Sequence, residues 1–233
     1  MKKIAVLVAG FIFSLGLSAQ INDPNAQVRQ VKNFHGINVS NAFDVYINQS
    51  NDEAVAVSAA TVKDREMITV EVKEGILYVG LHKDWKWNTG KKKLKAYISF
   101  KQIDNLTVSG ACDVFIAGIL KADNLSINQS GASDIKGKLE VVKLRVDLSG
   151  ASDMTVTGKA TQLSVEASGA SDFKGYDLVT ETCDAKASGA SDIKVTVNKE
   201  LSAQASGASD VKYKGNGTIR DIKSSGSSSV SRG

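Results

Sequence analysis

Ser130-Gly131-Ala132-Ser133-Asp134 is one of five identical phrases in the chain, and their recurrence decides the fold. The others are Ser149–Asp153, Ser168–Asp172, Ser188–Asp192 and Ser206–Asp210. Ser109–Asp113 is a near copy with Cys112 in the second serine's place, and Ser225–Ser229 is a decayed one. The starts fall at 109, 130, 149, 168, 188, 206 and 225, in steps of 21, 19, 19, 20, 18 and 19 residues. A period of that length marks a repeat architecture in which each unit covers its neighbour.

The residues around each phrase alternate. In Leu163–Lys174 the set Leu163, Val165, Ala167, Gly169, Ser171 and Phe173 shares one parity, and Ser164, Glu166, Ser168, Ala170, Asp172 and Lys174 share the other. Period two is the signature of a strand with one buried and one wet face. A glycine in every repeat would cost a helix about 1 kcal/mol each time. A strand pair this short cannot bury its apolar face alone, but stacked coils can, with like positions about 4.8 Å apart. The reading is an all-β chain forming a right-handed parallel β-helix of ~19–20-residue coils, the right hand being the default for parallel crossovers. The alternation turns Ala167, Gly169 and Ser171 inward as a small corner set. The glycine takes a bend that a Cβ would obstruct, and the serine bonds along its own ladder.

Residues 1–19 read as a signal peptide: Lys2 and Lys3, an apolar run over Ile4–Leu17, then Ser18-Ala19 as a small-residue cleavage site. That run is short for a membrane span and no stop-transfer pattern follows, so no transmembrane segment is expected in the mature chain. The formal charge of +4 falls to +2 without the two lysines, too little to argue for nucleic acid. Residues 20–33, with the single proline Pro24, read as a flexible lead-in. Residues 34–105 read as an N-terminal β region. Its Ser40-Asn41-Ala42-Phe43-Asp44-Val45 is a degenerate first coil, and Glu74-Gly75 is a hairpin turn between alternating segments. Residues 106–233 read as the repeat β-helix, with a weak last coil expected to fray.

The candidate contact surfaces are two. One is the outward row Asp134, Asp153, Asp172, Asp192 and Asp210, flanked at i+2 by Lys136, Lys174, Lys194 and Lys212. A bare aspartate column would repel by roughly 0.9 kcal/mol per neighbouring pair in water, and a lysine column alongside offsets much of that. Such a row is either a self-compensating solvated face or a regular array matching a repetitive partner. A cation ladder is a third possibility, although the nine-residue calcium β-roll repeat is absent. The other surface is the loop His82–Lys93, where Trp85 and Trp87 stand among lysines. Exposed paired indoles beside cations suit a glycan or an anionic surface. The plainer reading packs both indoles on the sheet.

Catalytic signals are missing. The two histidines, His35 and His82, belong to no Ser-His-acid order or HExxH, and the repeat serines are not in a GxSxG elbow. Aspartates one coil apart approach the spacing of retaining glycosidase carboxylates, but every coil offers the same pair, so nothing pushes two pKa values apart. No enzyme activity, cofactor or metal site is expected. Cys112 and Cys183 both take inward parity, several coils apart, and are expected as buried free thiols.

The opening FHGINVSNAFDVYINQS, the VEVKEGILYVGL hairpin and the SGASD ladder together resemble the GIN domain of auto-transporter adhesins, a family formerly of unknown function. The resemblance covers about Phe34 to Val211. It implies a right-handed β-helix-like fold and a surface or adhesive role. The expected function is therefore an exported, non-enzymatic binding or adhesion module, found in the periplasm, at the cell surface or secreted. Its expected partner is a glycan or a cell-surface or matrix component. The alternatives are a structural envelope protein without a specific ligand, or a carbohydrate-active β-helix enzyme.

Overall fold

The computed structural model describes residues 23–86 and 93–233. The signal segment and Trp87 lie outside them. The described chain is a parallel β-solenoid of about 7 turns of about 19 residues. Five long strands each make most of a coil: β9 (Asp113–Gln129), β10 (Asp134–Leu148), β11 (Asp153–Ala167), β12 (Asp172–Ala187) and β13 (Asp192–Gly207). They pair in parallel with like on like: Asp134 on Asp153, Leu144 on Leu163, Val146 on Val165. A last coil is made by β14 (Asp210–Lys214), β15 (Thr218–Gly226) and β16 (Ser229–Arg232).

Coil length controls the register. The coils beginning at 130 and 149 are equally long, and β10 and β11 pair without a register shift. Where lengths differ, the one or two spare residues are absorbed by register shifts away from the corner: between Lys136 and Lys138, between Thr155 and Gly158, and between Gly175 and Val179 with a second shift between Thr180 and Thr182. Each coil turns at Ser-Gly-Ala-Ser and bends again where two residues in succession face out, as at Val142-Lys143 and Thr161-Gln162.

The corner differs from the alternating pattern in one respect. Gly169 is exposed, not inward, while Ala167 and Ser171 keep the buried parity. The reason is backbone bonding. The N–H of Ala170 donates to the carbonyl of Gly150 below it at 2.7 Å, and Ala190 repeats this on Gly169 at 2.7 Å. The glycine holds φ +79°, and a Cβ on Gly169 would stand 2.6 Å from the Gly150 oxygen. Only glycine combines that dihedral with that approach. The buried serines do not bond one another. Ser171 Oγ donates to the Ser168 carbonyl at 2.8 Å, while Ser191 Oγ reaches both Ser188 O at 2.8 Å and Ala167 O at 3.0 Å. The hydroxyl thus satisfies carbonyls at the strand-to-corner junction, as a buried polar group must.

The N-terminal region joins the same stack. β2 (Gly36–Val39) and β3 (Asp44–Gln49) form a coil whose corner has Asn41 at φ 84° in place of glycine. It rests on the coil of β8 (Asn105–Val108) and β9. A further coil, β6 (Ile76–Leu81) and β7 (Lys95–Phe100), lies outside it, pairing in parallel with β2 and β3. Antiparallel strands close this end: β5 (Ile68–Lys73) on β6, and β4 (Ala54–Ser58) on β7. The short helix α1 (Val62–Glu66), N-capped by Thr61, links β4 to β5. The large buried rings Phe34, Phe43 and Phe100 lie in this region.

The expectation of a flexible lead-in is corrected: it carries β1 (Gln27–Arg29), paired antiparallel with β4, and Tyr97 Oη donates to Asp23 Oδ2 at 2.9 Å. The last coil keeps the corner geometry of the others: Gly226 holds φ +78°, and Ser227 N–H bonds to Gly207 O at 2.8 Å.

Cys112 and Cys183 are free and buried. Cys112 takes the corner-serine position, its thiol donating to Ser109 O at 3.4 Å. Cys183 stands in the column Leu144–Leu163–Cys183–Leu201. Burial pushes the Cys112 thiol up to about 11 and the Cys183 thiol higher still. The thiolate is the nucleophile, so the native protein should resist iodoacetamide, and unreduced protein denatured first should gain two labels by mass. Labelling before denaturation, or no label after it, contradicts this burial.

Candidate binding surfaces

The solenoid brings the five predicted aspartates into one straight column and lengthens it. Asp44 pairs with Asp113, and the series then runs through Asp134, Asp153, Asp172, Asp192 and Asp210 to Ser229. Every aspartate follows a corner, where its own N–H is bonded to the coil below, as Asp153 N to Ser133 O at 3.0 Å. That bond aims the side chain outward. The carboxylates are partly exposed, from 35% to 44% where they meet lysine.

The lysines compensate on the diagonal as well as within a coil. Lys136 lies 3.8 Å from Asp134, and Lys212 lies 3.3 Å from Asp210. Lys174 bridges two coils, 2.7 Å from Asp153 and 3.5 Å from Asp172. It thereby serves Asp153, whose own i+2 neighbour is Thr155. These bonds raise the Lys174 pKa, led by the hydrogen bond to Asp153. Ser229 Oγ donates to Asp210 at 2.7 Å and leads the lowering of that carboxyl. Each exposed pair stabilises by at most about 0.2–1 kcal/mol, so the row is a surface property more than a source of stability.

Towards the N-terminal end the lysine column gives way to rings. Tyr97, Tyr46 and Phe115 occupy the i+2 positions and stack, with centroids 5.3 Å and 5.4 Å apart. Asp113 consequently has Phe115, not lysine, two residues on. Partial burial, followed by repulsion from Asp134 and Asp44, raises its pKa, with Lys136 acting against the rise. Tyr46 and Phe115 each follow a ladder aspartate by two residues, whereas Tyr97 follows Lys95 and joins them only through register.

Trp85 is half-buried and packs against the core. The described start of its loop, His82–Lys86, follows β6 of the outermost coil.

A third surface escaped the sequence reading. A groove of about 890 Å³ follows the second bend across successive coils. Along it Lys121, Glu140 and Lys159 are in register, with Lys121 3.2 Å from Glu140. The half-exposed Val142 and Val179 form its apolar side. Lys121 holds the Glu140 carboxyl below its ordinary range. The signal was the doubled outward residues at each bend, which break the alternation. At one end of the groove His35 Nδ1 lies 3.0 Å from Asp104 Oδ1, and this contact raises the histidine pKa. Among the described residues no group of three or more His, Cys, Asp or Glu is placed to hold a metal ion, and no helix is long and apolar enough to cross a membrane.

A long parallel solenoid with one acid–base column running nearly end to end is a scaffold that presents surface, and that is the class its fold and faces define. The chain belongs to the family described as "putative auto-transporter adhesin, head GIN domain", whose model matches residues 33–217. It is similar to the crystal structure of a putative adhesin from Bacteroides fragilis, with TM-score 0.83 and 24% identity, covering 89% of this chain and 95% of that one. A putative adhesin from Parabacteroides merdae aligns with TM-score 0.69 at 17% identity, covering 89% of this chain and 95% of that one. A structure from Parabacteroides distasonis named a putative lipid binding protein aligns with TM-score 0.67 at 20% identity, covering 91% and 98%. At these identities the likeness is one of fold. No curated protein matches the chain.

Proposed function

We propose that this protein is an exported, non-enzymatic adhesion module whose contact face is the aspartate–lysine row. The observation that carries the reading is the unbroken register of seven aspartates from Asp44 to Asp210. Their spacing of about 4.8 Å repeats a weak contact many times along a line, and such contacts add by avidity. A partner with its own repeat, a glycan or a matrix component at a cell surface, suits such a row. Family membership supports a surface role, and the small-residue cleavage site at Ser18-Ala19 supports export.

The test is binding to a glycan array and to immobilised cells by the wild type and by Asp153→Ala/Asp172→Ala. This pair removes both partners of Lys174 while leaving the core untouched. The expected result is loss of binding with an unchanged circular dichroism spectrum. Retained binding moves the site to the Trp85/Trp87 loop or to the groove at the second bend. Failure of the wild type to bind any glycan, matrix protein or cell favours the structural envelope reading.

A further inference from the structure

The stack is closed at one end and open at the other. At the closed end the edge strands are β1, three residues long, and β5, which α1 adjoins. A short edge strand is one way of blunting an edge. At the other end β15 is nine residues long, and its outer backbone groups face no further strand among the described residues.

The inward columns show the same asymmetry. The column Leu125, Leu144, Leu163, Cys183 and Leu201 is at most 4% exposed, yet its last member Ile219 is 48% exposed. The column Val146, Val165, Ala185, Ala203 is buried throughout and narrows to alanine, then ends in Ile222 at 38%. Two isoleucines at the rim of a serine-rich coil lack one layer of cover.

We propose that this layer is a second copy of the chain, docked tail to tail with β15 antiparallel to β15 of its partner. An antiparallel pair places residues of the same face opposite each other, so a two-fold axis through the pair must pass at a residue, not between two. β15 is regular from Asp221 onward, following a bulge at Arg220. Centring on Asp221 or on Lys223 opposes like charges. Centring on Ile222 sets Asp221 against the partner's Lys223 and Lys223 against the partner's Asp221. It also brings Ile222 against its own copy. Those ends form an internal pair at 2.9 Å in the single chain and can exchange it for two cross-strand pairs. The contact is isologous and closes at two copies.

The test is sedimentation and light scattering of the chain purified without a C-terminal tag, over a broad concentration range. The expected result is a monomer–dimer equilibrium. Lys223→Asp or Asp221→Lys alone should weaken the dimer about tenfold, because each creates two like-charge contacts. The swap Asp221→Lys/Lys223→Asp should regain the parent affinity. It has the parent's net charge, so recovery separates pairing from loss of fold. A monomer at every concentration, growth beyond two copies, a dimer indifferent to both single reversals, or a swap that fails to regain dimerisation overturns the proposal.

Discussion

Gly169→Ala should destabilise the solenoid by about 3 kcal/mol, far more than an exposed glycine-to-alanine change ordinarily costs. Two terms add. A left-handed dihedral of +79° costs an alanine about 1–2 kcal/mol. The new Cβ then stands 2.6 Å from the Gly150 carbonyl oxygen, 3.1 Å from its nitrogen and 3.4 Å from its carbon, all backbone. A flexible side chain could move aside, but a backbone carbonyl receiving the Ala170 N–H cannot move without loosening the rung, at a further overpacking cost of about 1–3 kcal/mol. Urea unfolding monitored by circular dichroism measures the loss. Ala170→Ser, one residue away and exposed, serves as the control and should fall within about 0.5 kcal/mol of wild type. The same change at Gly226 should cost less, because a terminal coil can open without the rest of the stack. A loss at Gly169 below about 1 kcal/mol would mean that the corners are not stacked backbone on backbone.

Phe173→Ala should cost about 3–5 kcal/mol, the range for deleting a fully buried ring. Phe173 is 0% exposed and stands in the column Val114, Ile135, Met154, Phe173, Ile193, Val211. Its space is prepared by a neighbour. A Cβ on Gly175 would run into the edge of the Phe173 ring, so the glycine two residues on is the complement of the phenylalanine. The pair should therefore be non-additive. Gly175→Ala should destabilise the wild type by overpacking, yet cost less, or partly refill the cavity, in Phe173→Ala. A double-mutant cycle from urea midpoints reads the coupling. Additivity within about 0.5 kcal/mol would show that the ring and the glycine do not share that space.

The repeat core was legible because a short period leaves little freedom. With Ser-Gly-Ala-Ser-Asp returning every 18 to 21 residues, the aspartate column, the buried serine and the free cysteines follow from parity and stacking alone. The corner interior was misjudged for a local reason. Alternation assumes extended backbone, and at φ +79° the glycine leaves it, carrying Gly169 to the outside. The second bend was illegible for a similar reason, since its residues vary between coils and change length. The groove they create is a property of several coils side by side. The aromatic column was missed because Tyr46, Tyr97 and Phe115 are distant in sequence and meet only through register.

Periodicity by itself determined that this chain is a parallel β-solenoid, where its corners lie, and which residues of its extended strands face out. Those are consequences of a two-residue alternation and a nearly constant coil length, both local quantities. The order of the coils was decided only in three dimensions. The chain makes the coil of β2 and β3, leaves to build the coil of β6 and β7 outside it, and then returns beneath with β8 and β9. That excursion crosses no repeat and carries no spacing signal. It is set by which apolar faces remained to be covered, Phe43 and Phe100 among them, and by the antiparallel strands that close the edge.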